Sequence, residues 1–219
     1  MKNGLTEIVF ILDKSGSMYN LESDTIGGFN SMLDKQKKEC GEANITTVLF
    51  NDKINILHNR VPIEKVKPMT KKDYSAEGCT ALLDAIGTSI NNMINIQKNL
   101  KEKERAEKVL FIITTDGYEN SSREYSYSII KNMIKKEKRI YNWEFLFLGA
   151  NIDAAESAEN IGIERKFAAN YTADSEGIKT NYEVMSDAVS CCRRNIRLDE
   201  TWKDKIEKHN ITINRKILI

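Results

Sequence analysis

An aspartate and two serines at alternate positions, in the string Asp13-Lys14-Ser15-Gly16-Ser17, put three small oxygen donors on one short loop. Gly16 lets the backbone curl so that both hydroxyls can face one centre. An all-oxygen set of this kind suits a hard cation of the magnesium type. On its own such a string also makes ordinary turns. Two later segments add donors of the same kind. Thr80 opens a helix in Gly78-Cys79-Thr80-Ala81-Leu82-Leu83-Asp84, and Asp116 stands in an Asp-Gly step. None of the five donors is a Cys or His, which disfavours zinc.

These donors need elements to position them. Residues 8–12 and 109–115 are apolar, β-branched runs that read as buried strands, ending in Asp13 and Asp116. Ile26, Phe29 and Leu33 recur at helical spacing between the first run and two β-rich runs, 45–50 and 54–57. The break at Asn51-Asp52-Lys53 predicts a hairpin, hence one antiparallel edge strand. Pro62 and Pro68 mark an irregular crossing towards Thr80. Helices are expected through Leu82, Ile86, Ile90 and Met93, through Ile130, Met133 and Ile134, over 154–159, and through Ile178, Tyr182, Met185, Val189 and Cys192. Strands are expected at 145–148 and 166–169. Such alternation implies an α/β, doubly wound and mostly parallel sheet with helices on both faces. Ligands of such sheets bind beyond the carboxyl ends of the strands. If the strands of Asp13 and Asp116 are neighbours, their carboxylates lie ~5 Å apart.

The three segments together resemble the von Willebrand factor type A (vWA) family and its metal-ion-dependent adhesion site (MIDAS), written D-x-S-x-S, then a Thr, then an Asp after a strand. Asp13, Ser15, Ser17, Thr80 and Asp116 match in order. The resemblance implies a Rossmann-like domain over residues 1–197, with 198–219 as a C-terminal extension. It implies Mg²⁺ or Mn²⁺ as cofactor, with the aspartates binding directly or through water. It also implies a partner protein that supplies a Glu or Asp to the ion, so that the site is an adhesion point rather than a catalytic one. Cys79 departs from the family, where a second glycine usually precedes the threonine.

Composition narrows the function classes. The 219 residues suit one domain, and 33 basic against 32 acidic residues leave a net charge of +1. No long-range field draws nucleic acid or acidic lipid, and the lysine-rich stretches read as solvated surface. No apolar run approaches membrane-spanning length, and residues 1–7 lack a secretory pattern. Four cysteines, two adjacent, make a poor disulfide framework, so the expectation is buried reduced thiols in a cytoplasmic protein. A free-standing cytoplasmic vWA protein implies a bacterial or phage source.

Several residues carry two readings. Asp84, one helical turn after Thr80, either orients the site from behind or stabilises its helix dipole. Glu119 either flanks the metal and tunes partner choice or is a solvated loop carboxylate. Cys79 reads as a packed thiol, His58 and His209 as surface residues. The alternative function is a metal-dependent hydrolase or phosphatase using the same ion. Against it, Ser15 stands where haloacid-dehalogenase-like phosphatases carry a second aspartate, and no nucleophile elbow or P-loop lysine is present. The extension predicts a short helix anchored by Trp202 and Ile206, then a strand over 211–219 paired along an open sheet edge or with a second copy.

Overall fold

The apolar run that ends at Asp13 sends its side chains alternately to two faces. Ile8, Phe10 and Leu12 enter one core, and Val9 and Ile11 enter the other. Leu110 and Ile112 divide from Val109, Phe111 and Ile113 in the same way. A sheet apolar on both faces must be covered on both, and the computed structural model, which describes residues 1–217, has that arrangement. Its strands are β1 (Lys2–Asp13), β2 (Glu42–Phe50), β3 (Ile54–Pro62), β4 (Ala106–Thr115), β5 (Glu144–Gly149) and β6 (Ala168–Asn170). They form one sheet in the order β3-β2-β1-β4-β5-β6. All neighbours are parallel except β2 and β3, the expected hairpin.

Helices α1 (Glu22–Gln36), α5 (Ser175–Arg193) and α6 (Asp204–Ile217) cover the Phe10 face. Helices α2 (Leu82–Asn99), α3 (Tyr127–Tyr141) and α4 (Ala154–Asn160) cover the Phe111 face. Local signals set several of their starts: the side chains of Ser126, Asp153 and Asp174 accept from the first-turn amides of α3, α4 and α5. The chain leaves β1 through α1 on one face and reaches β4 through α2 on the other. The sheet therefore changes its winding direction between β1 and β4. Among the described residues no helix is long and apolar enough to cross a membrane.

Three expectations are corrected here. His58 is buried, not on the surface: it lies flat under Phe29 with ring centroids 6.3 Å apart, and its Nδ1 is 3.0 Å from Thr47 Oγ1. Burial pushes its imidazole below the usual value, against a hydrogen bond with the Lys67 backbone and the charge of Asp73. His209 is half-buried. The four cysteines form no disulfide, but only Cys192 is buried, whereas Cys40 and Cys79 are exposed.

The expected strand at 211–219 is helix through Ile217; residues 218–219 lie outside the described residues. Two alternating steps, Ile211 and Ile213, were outweighed by the longer helical spacing of Ile206, Ile213 and Ile217. The extension still meets a sheet edge. Trp202 Nε1 donates to the Lys166 carbonyl at 2.7 Å, Lys203 Nζ to Ala168 at 3.1 Å, and Asn210 Nδ2 to Asn170 at 2.7 Å. Alternate carbonyls from Lys166 to the end of β6 thus take side-chain donors, which blunts an edge otherwise open to another strand. Ile206, 1% exposed, supplies the apolar anchor. Ile206→Ala is expected to lower the unfolding free energy by about 2–4 kcal/mol in urea titrations. A change under about 0.5 kcal/mol would mean that the extension is not docked through this residue.

Candidate metal site

The register of the sheet brings the separate donors together. Leu12 pairs with Thr114, so Asp13 and Thr115 are level at the ends of β1 and β4, and Asp116 is one residue further. Thr115 Oγ1 donates to Asp13 Oδ2 at 2.6 Å, and the Ser15 amide donates to Asp13 Oδ1 at 2.7 Å. Ser15 and Ser17 Oγ atoms are 3.2 Å apart, and Ser17 Oγ donates to Asp116 Oδ1 at 2.5 Å. Thr80 is buried beside this group: a Cβ at Gly117 would stand 3.9 Å from its Oγ1. All five predicted donors lie at one end of the sheet, at the point where its winding reverses.

The electrostatics of this cluster are one-sided. Burial pushes the Asp13 carboxyl up, against hydrogen bonds from Thr115 and Ser15. Asp116 is pushed up to about 6, chiefly by burial; the Ser17 hydroxyl opposes this, and the negative charge of Asp13 adds to it. No lysine or arginine among the described residues neutralises either one. Two desolvated carboxylates and three hydroxyls, with Ser17 facing solvent, have the chemistry that suits a hard divalent cation. Among the described residues no three Cys, His, Asp or Glu gather as a softer or more anionic site would require.

The loops are tied to each other as firmly as to the sheet. The Gly16 amide donates to the Gly78 carbonyl at 3.1 Å, and the Glu77 amide to the Lys14 carbonyl at 3.0 Å. Gly78 has φ +75°, and a Cβ there would meet Asp52 Oδ1 at 2.3 Å, so glycine is required. Cys79 is not left-handed, so a cysteine there, where the resemblance would have a glycine, leaves the turn intact. Its side chain points out of the loop, which corrects the packed-thiol reading.

Asp84 and Glu119 have definite jobs. Asp84 accepts the amides of Arg123, Glu124 and Tyr125 at 2.8–2.9 Å, which fastens the loop after Asp116 to α2. Glu119 accepts the Leu83 amide at 2.9 Å, and Ser122 Oγ accepts the Asp84 amide at 3.0 Å, so the same loop satisfies the first amides of α2. Both Glu119 oxygens are engaged within the fold, so it is not a merely solvated loop carboxylate. The contact is close: a Cβ at Gly87 would meet the Tyr125 ring at 2.4 Å.

Other contributors carried no sequence signal. Asn120 Oδ1 accepts the Thr80 amide at 2.9 Å, and its own amide donates to the Thr80 carbonyl at 3.0 Å. The Tyr74 hydroxyl donates to the Asp13 carbonyl, and Tyr171 OH to the Thr115 carbonyl at 3.3 Å. Burial holds both phenols well above their usual range, so they are neutral donors. Only the Asn120-Ser121-Ser122 turn chemistry could have hinted at any of them.

No protein-family model matches the chain, and no curated protein matches it. Solved structures do. The mussel byssus protein PTMP1 superposes with TM-score 0.59 at 18% identity, over 85% of this chain and 46% of PTMP1. One PTMP1 structure has its MIDAS motif occupied by zinc. Manganese-loaded TRAP of Plasmodium vivax gives 0.56 at 19%, over 83% of this chain and 74% of that one. The vWF domain of the pili tip protein Mfa5 from Porphyromonas gingivalis gives 0.61 at 10%, over 89% and 97%. The chain spans about half the length of PTMP1. Its fold is that of the vWA domains.

The clasp between α2 and the Asp116 loop can be tested directly. Asp84→Ala removes the acceptor of three part-buried loop amides and is expected to cost about 1–3 kcal/mol in urea unfolding, with faster amide exchange at 123–125. Unfolding within about 0.5 kcal/mol of wild type would mean that the clasp does not hold the loop.

Proposed function

We propose that the chain is a divalent-metal-dependent protein-binding module. Ser15, Ser17 and Thr80 hold Mg²⁺ or Mn²⁺ through their hydroxyls, with Asp13 and Asp116 acting directly or through water. When bound, the ion offers an electrophilic position that takes a carboxylate oxygen from a Glu or Asp of a partner protein. The observation that carries this reading is the convergence of two buried, unneutralised carboxylates on the Ser15 and Ser17 hydroxyls. The metal-loaded structures of the same fold support a divalent ion.

The surroundings support protein as the partner. Tyr19, in the same 3-10 turn as Ser17 (Gly16–Leu21), is 68% exposed, and Tyr118, two residues after Asp116, is 60% exposed. Exposed aromatic rings beside an open site are the usual anchors of a protein interface. Among the described residues no base or nucleophile outside the donor set is placed to serve a hydrolase, and the same donors would have to do both jobs.

Calorimetric titration with Mg²⁺ is expected to give one site, weakened about tenfold or more by Ser17→Ala or Thr80→Ala. Tyr19→Ala should leave that affinity unchanged and reduce capture of a partner that EDTA releases. Mg²⁺-dependent turnover of phosphomonoesters that Asp13→Ala abolishes would replace the binding module with the hydrolase.

A further inference from the structure

Helix α3 buries Ile130, Ile134 and Glu137, which share one stripe at steps of four and three. The third place on that apolar stripe is therefore a carboxylate. Glu137 is 1% exposed, and among the described residues no hydrogen bond reaches its Oε2. An unpartnered buried carboxylate is costlier than any apolar side chain at the same place.

Glu137 lines a cavity of about 280 Å³ at the end of the sheet opposite Asp116, where β4 begins. Ile94, Val109, Ile140, Tyr141 and Trp143 supply its apolar wall. The Tyr141 and Trp143 rings are 6.4 Å apart between centroids and tilted by 40°, the two sides of an open aromatic corner. Glu102 and Glu107 are also on the wall, with Lys98 and Arg105 as its cations. Arg105 Nε is committed to the Leu100 carbonyl at 3.2 Å.

We propose that this cavity binds a small organic ammonium ion, with its charged nitrogen against Glu137 and its apolar body against Tyr141 and Trp143. An ammonium donates to the carboxylate that the protein leaves unpaired, and aromatic faces attract it as well. A neutral apolar guest would leave the carboxylate unpaired, and an anion would be repelled by it. At roughly 30 Å³ per water-sized group, the cavity holds about nine heavy atoms. Burial pushes the Glu137 carboxyl up, against the charges of Lys136 and Lys98.

The test is an NMR titration of the whole chain with phenethylammonium chloride and, separately, with phenethyl alcohol, its uncharged counterpart. The amine is expected to give saturable shifts confined to residues around 94–98 and 137–143, and the alcohol to bind about tenfold more weakly or worse. Glu137→Gln should bring the amine down to the level of the alcohol. Absence of saturable shifts with the amine, equal binding of amine and alcohol, or unchanged amine affinity in Glu137→Gln would each overturn the proposal. The comparison of the two ligands needs no variant, so it decides the question even if Glu137→Gln does not fold.

Discussion

Asp13 and Asp116 sit at the ends of adjacent parallel strands, so two carboxylates share a space from which water is largely excluded. Like charges so placed must be held apart, protonated or compensated. The surrounding structure supplies hydrogen bonds only in part: Ser15 and Thr115 serve Asp13, and Ser17 serves Asp116. The rest of the demand is for positive charge. That constraint gives the neighbouring features a common purpose. Tyr74 and Tyr171 fix the backbone carbonyls from which the two loops depart, and Asn120 fixes Thr80 opposite them. Asp84 and Glu119 then lock the Asp116 loop to the helix that Thr80 introduces.

Other buried carboxylates set the site in relief. Asp84 accepts three amides. Glu7, midway along β1, takes the Arg60 guanidinium at 2.9 Å and the Asn44 amide at 3.0 Å on its Oε1. Those two are held within the fold. The Asp13–Asp116 pair and Glu137 have neither three amides nor a guanidinium, and they lie at opposite ends of the sheet. Burial with such a partner serves the architecture, whereas burial without one leaves room for a ligand.

Much of this was legible in the sequence because the informative residues sit at strand ends and the strands are strongly apolar. The Asp13–Ser17 string stood out by its residue types and spacing, Thr80 and Asp116 joined it only through the resemblance to the vWA motif, and the hairpin and both helical layers could be ordered from periodicity. What stayed hidden depended on long-range contact. Tyr74, Tyr171 and Asn120 act through single hydrogen bonds across 61, 56 and 40 residues, and no local pattern encodes such pairings. His58 looked polar and solvated, but its strand turns that one side chain under Phe29. Cys79 looked packable, but it stands on the crest of a turn that Gly78 makes. At 211–217 two alternating isoleucines imitated a strand inside a segment whose longer spacing is helical.

A crystal structure of the chain grown with Mn²⁺, with anomalous scattering to identify the ion, tests the central claim most directly. One manganese is expected between the Asp13–Ser17 loop and Asp116, ligated by Ser15, Ser17 and Thr80. A well-ordered site with no ion there at millimolar Mn²⁺, its carboxylates bridged only by protein donors or water, would contradict it.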